Sequence, residues 1–399
     1  MSIKLFEKHQ SAFAQIWIAL FVASFYVVPV DWAKPLWYVL LGLASLITLK
    51  NPASLKDIAT KTDIFLILLF LLALARGFVP DALPDGQTTL YTKHLSNLAL
   101  LLLLFLSMSW LFETRQQNFF LWALFVCASL SVLLNLCIIL IDESGLQSQF
   151  INRAVYIGRM RDPNMYGVSL ALGILCGVYV FLNSNRLIKL LVGVGLVLLF
   201  AGLLYTKSRG AVIALGVPFL FLIVHHFRPQ TRLFFWAMAN LAFISALVGF
   251  EDVIASTLCK WITLPRCTSS TRFEIWVWTY DLVKEHPWLG VGAGFRFDHA
   301  DTGQVSPHHV LWGTALYFGI PMLVAFLVAL YRITRHVEAH APALSAFFIL
   351  GCGFMATNLA QPFAFINWHY LFLWLPLFYY AAPLPVQQRF VHTPNHAHS

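Results

Sequence analysis

The sequence predicts an all-α, polytopic membrane protein of about twelve transmembrane helices with one long periplasmic loop containing short helices, on three observations. Of its 399 residues, 59% are hydrophobic and 11% charged, against roughly 25% charged in an average soluble domain. Apolar runs recur along the whole chain, and one polar stretch, residues 251–307, is far longer than the rest. Together these exclude a soluble enzyme and give a single transmembrane domain over residues 1–399, with residues 251–307 as its long outer loop.

A span needs about twenty apolar residues to cross the hydrocarbon layer. Such runs start near positions 13, 36, 64, 97, 119, 165, 190, 211, 233, 309, 343 and 368. The first follows Lys4 and Lys8 and resembles a signal peptide, but it lacks a small-residue cleavage site and further spans follow at once, so it reads as a retained helix. With the N-terminus inside, the inner segments carry Lys4, Lys8, Lys56, Arg186, Lys189, Arg228 and Arg332 among few acids, whereas basic and acidic residues balance on the outer side. The higher density of positive charge marks the cytoplasmic face, so both termini are expected inside. The net charge of +8 then faces anionic lipid. No basic domain with interleaved aromatics points to nucleic acid.

Outside lie residues 79–96, 142–164, 206–210 and 251–307. Cys259 and Cys267 fall in the last of these, where an oxidising compartment would permit a disulfide; bridge and free thiols both fit. Cys127, Cys137, Cys176 and Cys352 fall inside apolar runs and read as packing residues.

The same long loop contains Thr271-Arg272-Phe273-Glu274, the pattern of a capping box, and Pro287 thirteen residues after Glu274. A helix from about Arg272 to Glu285 follows, with Phe273, Trp276, Tyr280 and Val283 as its apolar stripe. Arg272 in a first turn is unfavourable to the helix dipole unless an anion lies between them; pairing with Glu274 or lipid phosphate fits this feature equally well. Lys207 and Arg209, in Thr206-Lys-Ser-Arg-Gly210, likewise stand before the span at Ala211, and Arg159 and Arg161 precede Asn164, which is placed to cap the span from Met165. A single arginine at a membrane edge is usually a lipid anchor. Three such sites on one face are harder to dismiss as anchors, and a helix N-terminus with cations beside it suits an anion.

A fourth helix start is Ser306-Pro307-His308-His309, opening a span through Tyr317 and Pro321. An imidazole there suits a general base, and neighbouring arginines would keep it neutral. Adjacent residues on a helix diverge by about 100°, so only one of the pair can face a given site. No carboxylate lies within a clear span and no metal-binding pattern appears, so neither metal nor cofactor is expected; His392, His396 and His398 read as a solvated tail.

In order and spacing, Asp162-Pro-Asn164, Thr206-Lys-Ser-Arg-Gly-Ala211, Arg272, His286-Pro-Trp-Leu-Gly-Val-Gly-Ala-Gly294 and Pro307-His308 leading to Gly319-Ile-Pro321 resemble the bacterial O-antigen ligase superfamily. The likeness covers roughly residues 150 to 325. One departure is His309, where relatives often carry Asn, and the distance to Gly319 favours His308 as the family's catalytic histidine. The resemblance implies an inner-membrane glycosyltransferase without metal or cofactor. Its donor is a glycan on undecaprenyl pyrophosphate and its acceptor lipid A-core. His308, or else His309, would be the base, and Arg209, Arg272, Arg159, Arg161 and Lys207 would bind the donor pyrophosphate. Polymerases of lipid-linked repeats and protein O-oligosaccharyltransferases share the resemblance. A lipid-linked glycan flippase also fits twelve helices, but such a transporter should show mid-membrane ionisable groups or internal repeats, and neither is evident.

Overall fold

The computed structural model describes residues 3–28, 30–50, 64–76, 89–113, 116–141, 163–208, 210–212, 214–216, 218, 272–292, 295, 307 and 309–340. Among these every regular element is a helix: α1 (Ile3–Tyr26), α2 (Val30–Leu49), α3 (Ile64–Arg76), α4 (Thr89–Glu113), α5 (Gln117–Ile141), α6 (Pro163–Leu182), α7 (Arg186–Tyr205), α8 (Arg272–Glu285), α9 (Val310–Phe318) and α10 (Ile320–His340). Four of them hold stretches long and apolar enough to cross a membrane, Trp32–Leu49, Asn118–Ile138, Pro163–Leu182 and Arg186–Tyr205, and the protein is a membrane protein. The spans expected from 233, 343 and 368 lie outside the described residues.

Lipid tails are as apolar as leucine, so association of the helices rests on close packing and hydrogen bonds rather than on burial of oily surface. Both devices are visible. Gly177 and Gly195 flank the Phe125 ring, which approaches so closely that a Cβ at Gly195 would lie 2.5 Å from Phe125 Cζ. Here α5, α6 and α7 meet. Ser45 and Thr48 of α2 donate to the carbonyls of Leu103 and Leu106 on α4 at 2.9 Å each. Tyr26 Oη donates to the Ser169 carbonyl at 2.9 Å, tying α1 to α6. Helix α6 is largely enclosed, whereas α7 turns Leu187, Leu190, Leu191, Val194 and Val197 outward, a lipid-facing stripe. Cys176 is buried as expected, but Cys137 is exposed on α5 rather than packed.

The remaining helices form a second group in which α3 packs on α4 and α10, α10 on α9, and α9 on α8. Here the structure corrects the sequence reading. The run from His309 through Pro321 is not one helix: it breaks at Gly319, whose φ of +86° no L residue adopts easily. Helix α9 has 9 residues and so spans only about 13 Å, too short to cross a membrane. A new helix, α10, starts at Ile320.

Candidate functional site

The described site residues gather at two junctions. The first is the turn after α7. Thr206 closes that helix, its N–H bonded back to Gly202 and Leu203 and its hydroxyl donating to the Leu203 carbonyl at 2.7 Å. Lys207 follows with φ of +51°, a left-handed residue that stops the helix, and its side chain is exposed. Ser208 then caps the next helix, its Oγ accepting from the Ala211 N–H at 3.3 Å and its carbonyl from Val212 at 3.2 Å. The Ser208 hydroxyl donates to Asn164 Oδ1 at 3.1 Å. Asn164 is therefore not the cap of α6, as its position suggested. The helix begins at Pro163, and the Asn164 amide binds the turn instead.

Close approach at this junction depends on Gly167, where a Cβ would lie 2.9 Å from Ala211 Cβ and 3.0 Å from Thr206 Oγ1. Two helix N-termini, those of α6 and of the helix opened by Ser208, thus meet with Lys207 beside them. Their partial positive charges add, which favours an anion. Arg159, Arg161 and Arg209, the other cations expected here, lie outside the described residues. Ser208 was the residue missed in this turn, although a serine three positions before Ala211 is an ordinary cap signal.

The second junction joins α8 and α9. Helix α8 has the bounds expected, Arg272–Glu285; its buried residues are Ile275, Thr279 and Val283, of which the stripe read from the sequence includes Val283, while Ile275 and Thr279 are buried in place of Trp276 and Tyr280. Trp276 and Tyr280 flank them and meet α9. The Trp276 indole N–H donates to the Pro307 carbonyl at 3.1 Å, and its ring packs edge-on against His309 at 5.4 Å. Tyr280 meets Trp312 edge-on at 6.1 Å. Further along, the Val291 N–H donates to the Leu316 carbonyl at 2.7 Å. Contacts that advance together along both segments mean that α8 and α9 run side by side in one direction. Their N-termini, opened by Arg272 and by His309, therefore lie at the same end.

His309 is the N-cap of α9. Its Nδ1 accepts from the backbone N–H of Leu311 at 3.2 Å and of Trp312 at 3.5 Å. Accepting two donors assigns the ring proton to Nε2. The residue is 6% exposed, and burial lowers its pKa from 6.5 to about 4. It is a neutral ring whose one lone pair is already used. An Asn side chain would satisfy the same cap with its amide oxygen. His308 and the side chain of Arg272 lie outside the described residues, as do Cys259 and Cys267.

The far end of the junction is a backbone interlock. Loop 286–292 folds onto the break between α9 and α10: the Ile320 N–H donates to the Pro287 carbonyl at 2.8 Å. A Cβ at Gly319 would lie 2.2 Å from the Trp288 carbonyl oxygen, and one at Gly290, itself at φ of +67°, would lie 2.4 Å from that of Leu316. The two glycine-containing segments, His286–Gly292 and Gly319–Pro321, are thus the two halves of one contact that fixes α8 against α9.

Residues 194–327 match the family model described as O-antigen ligase. The match begins at 194 rather than near 150, and it contains the Thr206 turn, α8, loop 286–292, His309 and the Gly319 break. No curated protein matches the chain. The motifs and the interlock they build fall within the segment that matches, and it is residues 194–327 that are similar to the O-antigen ligase family.

Proposed function

We propose that the protein is an O-antigen ligase of the bacterial inner membrane. It moves a glycan from undecaprenyl pyrophosphate to a sugar hydroxyl of lipid A-core on the periplasmic face, with inversion at the anomeric carbon and without a metal. The observation that supports this reading is the parallel pairing of α8 and α9 within the segment that matches the O-antigen ligase family model, with the start of α8 at Arg272 and the start of α9, capped by His309, at the same end.

In this reading His308 takes the proton of the acceptor hydroxyl as its oxygen attacks the anomeric carbon and the bond to pyrophosphate breaks. His309, whose lone pair caps α9, holds the helix rather than acting as the base. Arg272 and Arg209 bind the departing pyrophosphate, whose negative charge grows as it leaves, with Arg159, Arg161 and Lys207 in support. Arg272→Ala and Arg209→Ala are each expected to lower kcat/KM for the donor by about tenfold to a hundredfold, the range for losing a charged hydrogen bond. Lys should restore only part, because a point charge replaces a fork that grips two phosphate oxygens. Steady-state transfer kinetics at varied donor concentration check this.

The periplasmic placement predicts that cysteines introduced near Ser256 and Gln304 react with an impermeant reagent from outside, and that those near Lys56 and Arg228 do not. The decisive experiment supplies purified protein with undecaprenyl-pyrophosphate-linked glycan and lipid A-core. Glycan on lipid A-core is the expected product; longer glycan on the polyprenyl carrier would make the protein a polymerase instead.

A further inference from the structure

Arg76, the last residue of α3, lies 118 positions before the family-matched segment begins. An arginine ending an apolar run looks like a lipid anchor, with its head group in the interface. Arg76 is instead 4% exposed, and its Nε donates to the Leu289 carbonyl at 2.7 Å across 213 residues of sequence. A guanidinium is costly to enclose and persists only where its donors are satisfied. As the basic residue in the last turn of α3 it also suits the negative end of that helix.

The bond falls on the loop that joins α8 to α9. Trp288 and Leu289 turn their side chains outward, 76% and 53% exposed, while their carbonyls face protein. That of Trp288 lies on Gly319, and the next one receives Arg76. A second side chain reinforces the spot. His94 of α4 bonds through Nε2 to the Ala73 carbonyl at 2.9 Å, in the last turn of α3, and its ring stands 5.7 Å from Phe318, the residue before the break. The ends of α3 and α9, the first turns of α4 and loop 286–292 therefore converge on one buried point. Helix α3 is also the element on which α10 packs, so it touches the interlock from both the loop and the helix side.

We propose that Arg76 is a positioning residue of the transfer site: its bond to the Leu289 carbonyl clamps loop 286–292 onto Gly319 and so keeps α8 and α9 in parallel register. The proposal rests on the reading of that site as a glycan transfer centre. In this role Arg76 acts through the loop rather than on the substrate. Losing the clamp lets α8 slide against α9, which separates the donor-binding end of one helix from the base at the end of the other. Each helix keeps its own residues, so the loss falls on the chemical step rather than on binding.

The test uses the full chain in lipid nanodiscs and two variants, Arg76→Ala and Arg76→Lys, the second retaining charge should the first fold poorly. Hydrogen exchange is followed in peptides covering 286–292 and 319–321, whose Val291 and Ile320 amides hold the interlock, and in α6 and α7 as reference. Transfer from the undecaprenyl-pyrophosphate-linked glycan to lipid A-core is measured in parallel. In Arg76→Ala exchange in the interlock should rise about tenfold with α6 and α7 unchanged, and kcat should fall about tenfold or more while donor KM stays within about threefold. Lys should lie between Ala and the parent protein in both readouts. Unchanged interlock exchange in both variants would overturn the clamp, and so would a rise spread evenly over α6 and α7, which marks a general folding role. Absence of transfer by the parent protein would instead sink the functional reading, and the exchange measurement would still decide whether Arg76 holds the loop.

Discussion

Replacing His308 by alanine is expected to lower the rate of glycan transfer by between about a hundredfold and ten-thousandfold, the range for removing a positioned general base, while donor binding stays nearly intact. The neighbouring substitution gives the contrast. His309→Asn keeps a side-chain oxygen for the Leu311 and Trp312 amides and should transfer at close to the parent rate. His309→Ala loses the cap and the edge contact with Trp276, with a stability cost of about 1 kcal/mol. Because burial holds His309 near a pKa of about 4, a titration in kcat around neutral pH belongs to another group and should persist in His309→Asn. The measurements are initial rates of transfer, donor binding and thermal unfolding for the three variants. An inactive His309→Asn beside an active His308→Ala would move the base to the other ring, and full activity in all three would remove histidine base catalysis altogether.

The second large effect is expected from a single methyl group. Gly319→Ala must place a Cβ 2.2 Å from the Trp288 carbonyl oxygen and 2.5 Å from its carbon, at φ of +86°. Neither atom can step aside, since both are backbone of a loop held by the Pro287–Ile320 and Leu316–Val291 hydrogen bonds. Left-handed strain and overpacking each cost about 1–3 kcal/mol, so destabilisation of about 3 kcal/mol or more is expected, together with loss of transfer as α8 is pushed off α9. Gly42→Ala is the control. It lies within α2, a Cβ there meets nothing within 4 Å, and it should be neutral or slightly stabilising. Thermal unfolding of the two variants in one detergent compares them directly, and equal midpoints would show that the interlock yields to a methyl group.

Several features of the site were legible from local chemistry. The bounds of α8 follow from Thr271 and Glu274 at one end and Pro287 at the other, and the helix forms where these signals put it. The turn after α7 was visible in Thr206-Lys-Ser-Arg-Gly210 as a short polar break between two apolar runs, although the Ser208 cap within it was missed. Other features were misread for an equally definite reason. Asn164 looks like a cap, but its partner Ser208 lies 44 residues on. The span from His309 looks continuous, because hydropathy does not register a carbonyl arriving from residue 287 or 288. The face of α8 that reads as apolar coincides with the buried one at Val283 but differs at Trp276 and Tyr280, whose aromatic rings meet His309 and Trp312 while Ile275 and Thr279 are buried.

By itself the sequence determined that the protein is helical and lives in a membrane, where α8 begins and ends, and that polar residues interrupt the apolar runs at the turn after α7 and before α9. These properties are local: a segment in lipid must satisfy its own backbone hydrogen bonds, so its composition alone reveals it. Tertiary structure alone decided that α8 and α9 run in parallel, that His309 spends its lone pair on a cap, that Gly319 breaks a helix, and that Arg76 reaches Leu289. Each of these depends on a backbone carbonyl or amide meeting a distant partner. Every residue carries such groups whatever its side chain, so the choice between them is not written in the identity of any one residue.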